Sequence, residues 1–388
     1  MEVLKYLKGL TVMHLMFAIA FFTSGVIINF FQCVLYLGLR PFSRYLYRKI
    51  NYYLCYSINC QLIFLTEWWS DSEIVLYIDK EDFKKYYGKE HGYIIMNHSY
   101  EIDWLMGWLL CDRIGVLGNC KAYAKKSVQY IPPLGWAWKF AESVFLERNW
   151  DKDREIIGRQ IKELINHPDP IWLLLYAEGT RFTPEKREAS QRFAREKGLP
   201  VLKYHLTPRT KGFTASVPYM KGKIPAVYDV QLAFKTSDTV NPSITNLLFG
   251  KKVVGHLYFN RIPMEEIPDD ETGAAEWLHK HYQQKDRMAE SFFETNDFFA
   301  TSGVPRVEPF KLKKRYYAAI NTLGWAVIVL VPMLYYLVNL FLSGSTVYFS
   351  IGVGILVLFY LLMKKTIGMS EISNSSSYGS TETKRVKS

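Results

Sequence analysis

From Gly9 to Leu39 no residue carries a formal charge at neutral pH, and a second uncharged run extends from Tyr316 to Leu362. One helix that spans a bilayer needs about 20 apolar residues, so neither run fits easily inside a water-soluble domain. The second is long enough for two such helices and contains the turn-forming stretch Ser343-Gly344-Ser345. It reads as a helix pair with both ends on one side of a membrane. The first is too long for a signal peptide and lacks a small-residue cleavage site, so it reads as part of the working chain. Gly25, with Ser24 and Asn29 near it, allows either one crossing or a bend that lies partly in the interface; one crossing is favoured.

The 388 residues carry a formal charge of +11. Excess Lys and Arg attract nucleic acid, anionic membrane and phosphorylated substrates alike, so their placement has to decide. Arg40, Arg44, Arg48 and Lys49 follow the first run, Lys311, Lys313, Lys314 and Arg315 precede the second, and Lys364 and Lys365 follow it. The positive-inside rule puts the intervening region and the tail in the cytosol. No nucleic-acid recognition motif accompanies these residues, so nucleic acid is not an expected partner. Five cysteines, odd in number and without C-x-x-C spacing, point to a reducing compartment.

These features divide the chain into membrane-anchoring helices over 1–70, a cytosolic domain over 71–310, a transmembrane pair over 311–365 and a Ser-rich, disordered tail over 366–388. Tyr45 to Trp69, which ends in Glu67-Trp68-Trp69, reads as a helix at headgroup level or as a core helix. Within the cytosolic region, short apolar runs alternate with amphipathic ones. Ile74–Ile78, Tyr93–Met96, Trp172–Tyr176, Val227–Ala233 and Val253–Phe259 read as strands, and Asp151–Asn166 and Ala274–Phe298 as helices. Such alternation predicts an α/β fold, in which ligands bind outside the carboxyl ends of strands. Asn97-His98 and Ala177-Glu178 both fall there.

His98 and Asp103 are five positions apart in "MNHSYEIDW". On a continuous helix that interval separates two side chains by roughly 140°, so the pair must straddle a strand-to-helix turn to meet. The carboxylate can then hold one ring nitrogen and leave the other free to take a proton. No serine or cysteine sits nearby in a nucleophile elbow, which suggests that the attacking hydroxyl belongs to the substrate. A metal site is not expected: there is no H-E-x-x-H, and His279 and His281 diverge on a helical pattern. "LLLYAEGTRF", Leu173 to Phe182, ends a strand with the makings of an anion pocket. Arg181 supplies a fork, Gly179 close backbone approach, Thr180 a hydroxyl, and Glu178 an acceptor for Arg181 or a substrate hydroxyl.

Together these segments resemble the glycerolipid acyltransferases, specifically the 1-acyl-glycerol-3-phosphate (lysophosphatidic acid) acyltransferases of the gamma/delta-like subgroup with a carboxy-terminal helix pair. The family's N-H-x-x-x-x-D motif is matched by Asn97, His98 and Asp103, its F-x-x-R by Phe145 to Arg148, and its E-G-T-R by Glu178 to Arg181. "AKKSVQYIPPLGW" is similar to a further family segment through Lys125, Pro132, Gly135 and Trp136, and "KYHLTPRTKGF" to one of the subgroup. The fourth motif's counterpart, Ala226 to Val230, departs by having its proline, Pro225, just ahead of it.

The resemblance implies a mixed sheet flanked by helices, no cofactor, acyl-CoA as co-substrate, lysophosphatidic acid as acceptor, and a place in the endoplasmic reticulum membrane with the catalytic domain cytosolic. It implies His98 and Asp103 as catalytic, and Glu178, Gly179, Thr180, Arg181, Arg148 and Lys125 as substrate-binding. Lys126 and Lys211 are further candidates for the phosphates of CoA. Two rival readings are an acyltransferase for another lysophospholipid, such as lysophosphatidylinositol or a lysocardiolipin, and a non-catalytic lipid-binding membrane protein.

Overall fold

The computed structural model of the chain describes residues 2–147 and 149–371. Eight strands form one mixed sheet: β1 (Glu73–Tyr77), β2 (Gly92–Met96), β3 (Cys120–Lys125), β4 (Val144–Leu146), β5 (Trp172–Leu175), β6 (Ala226–Ala233), β7 (Val254–Pro263) and β8 (Pro309–Phe310). Their order is β4-β3-β5-β2-β6-β7-β1-β8. The first five in that order run parallel, β7 is antiparallel to β6 and parallel to β1, and β8 closes the edge antiparallel to β1.

The central strand explains the layering. Every residue of β2 is buried, as expected of a parallel strand covered on both faces. Ile94 and Met96 enter one core with Leu105 and Leu109 of the Asp103–Arg113 helix. Tyr93 and Ile95 enter the opposite core with Ile157 and Ile161 of the Trp150–Leu164 helix and Leu278 of the Glu271–Thr295 helix. The chain is therefore an α/β protein with helices on both sides of a mixed sheet.

All five expected strands are present. β3, β4 and β8 were not legible: β3 carries two lysines in six residues, and the other two are only three and two residues long. Both expected helices form, but the later one stops at Thr295 because Asn296 takes a left-handed conformation, φ 58°, as its cap.

The first uncharged run forms one unbroken helix, Thr11–Gly38. Gly25 does not bend it; a Cβ there would lie 2.5 Å from the Pro133 ring, so the glycine serves close approach. Both ends of this helix touch the α/β body. Before it, Lys8 donates to the Trp69 carbonyl, and the His14 ring packs edge-on against Phe249 at 4.9 Å. After it, Arg40 Nε donates to Glu142 at 3.1 Å. The antiparallel Arg44–Phe64 helix beneath it, continued by a wider turn over Leu65–Trp69, also rests on the body. Between these contacts the helix packs against the Arg44–Phe64 helix and against both helices of the carboxy-terminal pair.

Burial agrees. The most apolar stretch of Thr11–Gly38 is 44% buried, against 11% for each of Tyr317–Leu342 and Thr346–Ser370. All three are long and apolar enough to cross a membrane. The last two form the expected pair, joined at Ser343-Gly344-Ser345 with Gly344 at φ 69°. Of the tail, only its first residues up to Glu371 are described; the disorder expected beyond lies outside the described residues.

Glu142 pins the helical platform to the sheet. Its carboxylate accepts from Arg48 Nε at 2.7 Å as well as from Arg40, and Arg48 also donates to the carbonyls of Glu163 and Asn166. Burial works against the charge of Glu142, but Arg48 and then Lys121 outweigh it and hold the carboxyl below its ordinary value. Arg48 is only 5% exposed. Removing one partner of a buried pair strands the other, so Glu142→Gln should cost about 3 kcal/mol in denaturant unfolding of the detergent-solubilised protein. A loss under about 0.5 kcal/mol would place the bridge with ordinary surface pairs.

Candidate active site

β2 and β5 are parallel neighbours with Ile95 opposite Leu175, so both leave the sheet at the same level. His98 follows β2 by two residues and Tyr176 follows β5 by one. Their rings stack, with centroids 3.9 Å apart and planes 15° from parallel. Asp103 opens the helix after β2, and its Oδ2 accepts from His98 Nδ1 at 2.7 Å. The pair thus straddles a strand-to-helix turn.

Asp103 is fully buried and held at its other oxygen, where Oδ1 accepts from the Trp104 amide at 2.7 Å and from the Tyr176 hydroxyl at 3.0 Å. Burial, and then the adjacent Asp103 carboxylate, push the Tyr176 phenol well above its ordinary range, so it remains a donor at neutral pH. The His98 side chain keeps 16% of its surface exposed, and no described residue hydrogen-bonds its Nε2. With Nδ1 donating to a carboxylate, Nε2 is the basic nitrogen.

The E-G-T-R residues divide. Glu178 does not hold Arg181. It is completely buried, and its carboxylate accepts from the His98 amide at 2.9 Å and the Leu206 amide at 3.0 Å. The reason is local: the turn after β2 leaves an amide that needs an acceptor in the protein interior. Asn97 braces the other side, exchanging hydrogen bonds with the backbone of Leu232 at 2.8 and 3.0 Å. Gly179 is left-handed, φ 72°, and a Cβ there would come within 2.9 Å of Arg209 Cδ, so no other residue fits without movement.

Thr180 Oγ1 accepts from Lys186 Nζ at 3.0 Å. Arg181 does not present a wholly open fork. Its Nη1 donates to the carbonyls of Ser370 at 2.6 Å and Glu371 at 3.3 Å, where the last helix ends and leaves acceptors unpaired. The Phe182 amide donates to the His98 carbonyl at 2.8 Å, which joins this loop to the histidine.

The lysines differ in setting. Lys125, at the carboxyl end of β3, is exposed on the same sheet edge; Lys126 pairs with Glu147; Lys211 lies over the Trp150 ring at 5.3 Å. Arg148 lies outside the described residues. Among the described residues no cluster of metal-ligating side chains occurs. Tyr176, Lys186 and Arg209 were not singled out from sequence. Tyr176 and Arg209 sat inside quoted segments, but a stacking partner or a packed arginine stem shows itself only once neighbouring strands are registered.

Two cavities stand out. One, about 740 Å³, lies between the platform and the Trp150–Leu164 helix, lined by Arg44, Arg159, Lys162 and Tyr219, and includes neither His98 nor Asp103. The other, about 320 Å³, is apolar, lies between the first helix and the carboxy-terminal pair, and reaches Thr366 and Ile367 near the Arg181 contact.

If Tyr176 steadies the dyad, Tyr176→Phe keeps the stacked ring and loses only the hydrogen bond to Asp103. Steady-state kinetics should show kcat reduced about tenfold with KM little changed, the size of one hydrogen bond to a charged group. An unchanged kcat would leave the phenol no part in holding the carboxylate.

Residues 75–227 match the acyltransferase family model and residues 246–325 the acyltransferase C-terminus model. The chain is 43% identical to human 1-acyl-sn-glycerol-3-phosphate acyltransferase gamma over 386 residues, covering 99% of this chain and 100% of that one. It is 40% identical to the rat delta enzyme over 386 residues, covering 99% of each. Among solved structures, the 1-acyl-sn-glycerophosphate acyltransferase of Thermotoga maritima aligns with 74% of this chain and 98% of its own, at 16% identity and a TM-score of 0.43. With two domain models in sequence order and full-length relatives at this identity, the chain belongs to the 1-acyl-sn-glycerol-3-phosphate acyltransferase family of enzymes, in its gamma/delta-like subgroup.

Proposed function

We propose that this enzyme transfers the acyl group of acyl-CoA to the sn-2 hydroxyl of lysophosphatidic acid, giving phosphatidic acid and CoA, with His98 as general base and Asp103 as its orienting acid. The observation that carries the reading is the His98–Asp103 hydrogen bond at 2.7 Å, with a fully buried carboxylate on one side of the ring and an unengaged nitrogen on the other. The acceptor hydroxyl gives its proton to Nε2 while its oxygen attacks the thioester carbonyl. Asp103 stabilises the imidazolium that forms. The tetrahedral adduct then expels CoA as a thiolate, which recovers the proton from Nε2. No bond to the enzyme forms.

Arg181 and Thr180 bind the acceptor phosphate, and the reading gives Arg148 the same part. Lys125, on the same sheet edge as the dyad, meets phosphates of CoA. The apolar cavity beside Ile367 suits an aliphatic chain. Glu178 acts on the dyad's backbone rather than on substrate. The chemistry needs no cofactor, because the thioester supplies the activated acyl group. The reading sets the enzyme in the endoplasmic reticulum membrane with its α/β domain cytosolic. Lys314, just ahead of the helix pair, donates to Asp71 at 2.8 Å and to the Glu67 carbonyl at 2.7 Å, which supports a basic flank on the side of that domain.

In purified enzyme, His98→Ala should reduce kcat by about 10²- to 10⁴-fold while acyl-CoA binding persists, and Asp103→Asn should fall in the same range. Turnover by His98→Ala at the wild-type rate would exclude the proposed base and favour a non-enzymatic or differently placed chemistry.

A further inference from the structure

Three buried cations of this protein meet acids directly. Lys285 is 1% exposed, and its Nζ donates to Asp229 at 2.5 Å; Arg48 meets Glu142 and Arg113 meets Glu67. Lys121 and Lys186 do not: Lys121 donates to the Ala141 carbonyl, with Glu142 near enough to favour its charge, whereas Lys186 lies beside a second cation, Arg181. Lys186 is 7% exposed, yet its Nζ has only neutral partners: Thr180 Oγ1 at 3.0 Å and the Arg181 carbonyl at 3.1 Å. Arg181 beside it likewise rests on two backbone carbonyls, and its Nε is buried without a partner. Among the described residues neither cation has a carboxylate within 4.0 Å.

A buried lysine beside a half-buried arginine, with no carboxylate in contact with either, is unfavourable, and an anion bound between the two would relieve it. Burial, and then the Arg181 guanidinium, push the Lys186 ammonium below its ordinary pKa, and Glu185 nearby offsets them only in part. Lys186 also lies in the first turn of the Pro184–Glu196 helix, whose amino-terminal end adds positive potential. The hydrogen bond from Phe182 to the His98 carbonyl keeps this corner beside the dyad. A lysolipid places its phosphate and its reacting hydroxyl only a few bonds apart, so an anion site at this corner is within the span of one acceptor.

We infer that Lys186 is the second cation of the acceptor-phosphate site, and that the Arg181–Lys186 pair selects a phosphate monoester over a phosphodiester headgroup. The inference rests on the proposed reading of His98 as base and deepens it. A monoester carries close to two negative charges at neutral pH, because its second ionisation lies near pH 6, whereas a diester carries one. Two cations without acids match the first and overcompensate the second. The phosphate takes the open edge of Arg181 and displaces the Ser370 and Glu371 carbonyls, since a charged acceptor makes the stronger hydrogen bond.

The test compares two acceptors with matched acyl chains, lysophosphatidic acid and lysophosphatidylinositol, in full-length enzyme and in Lys186→Met and Lys186→Arg, with one acyl-CoA donor. Lys186→Met should raise KM for the monoester about 10- to 100-fold with kcat nearly kept, and leave kcat/KM for the diester unchanged or higher. Lys186→Arg should recover most of the monoester preference. Equal losses on both acceptors, or an unchanged monoester KM, would overturn the inference.

If Lys186→Met does not fold, the wild-type enzyme gives a second reading. Its KM for the monoester, relative to the diester, should fall as pH rises from about 5 to 7 through the second phosphate ionisation. A ratio flat across that range would overturn it equally. His98→Ala separates the two levels. If that variant is inactive while Lys186→Met keeps the wild-type acceptor ratio, the dyad stands and the role of Lys186 is refuted.

Discussion

The register of two parallel strands underlies everything at the site. With Ile95 opposite Leu175, β2 and β5 release their chains side by side, and this brings His98 onto the face of Tyr176 and both onto Asp103. A slip of one residue would turn every side chain of β2 to the other face and carry the histidine away from its acid. The register is secured from both sides: Gly92 to Met96 also pair with Ala226 to Val230 of β6, so β2 has no free edge. Beyond the strand ends, where no ladder remains, Glu178 takes over by accepting the His98 and Leu206 amides.

Charge is distributed to suit a body lying on a membrane. Arg40, at the turn between the first two long helices, and Arg48, within the second of them, are drawn inward to Glu142, while Phe30, Phe31, Val34, Leu37 and Phe42 stay exposed on the outside. An apolar surface of that kind beside the α/β domain is suited to facing lipid. The last helix returns from the carboxy-terminal pair to end at Arg181. The carboxy-terminal helix pair therefore contacts the Arg181 corner directly.

Much of this was legible in the residues. Alternating apolar runs marked the central strands, because buried parallel strands must be apolar throughout, and the His98–Asp103 interval marked a strand-to-helix turn. What escaped was whatever depends on a partner distant in sequence. β3 forms with Lys121 and Lys125 in it because β5 and β4 supply its pairing. Glu178 looks like a ligand-facing acid beside Arg181 until the turn after β2 is seen to need an acceptor. Lys186 looks like a solvated lysine of an amphipathic helix, since nothing local announces that its ammonium is buried without an acid.

The central claim is that Nε2 of His98 takes the proton of an acceptor hydroxyl whose phosphate is held by Arg181 and its neighbours. The structure of the enzyme with lysophosphatidic acid bound tests it most directly. The account predicts the sn-2 oxygen within about 2.6–3.2 Å of Nε2, or one water away, with the phosphate against the Arg181 guanidinium. A bound acceptor whose hydroxyl lies beyond that reach, or whose phosphate lies on a different surface, would contradict it.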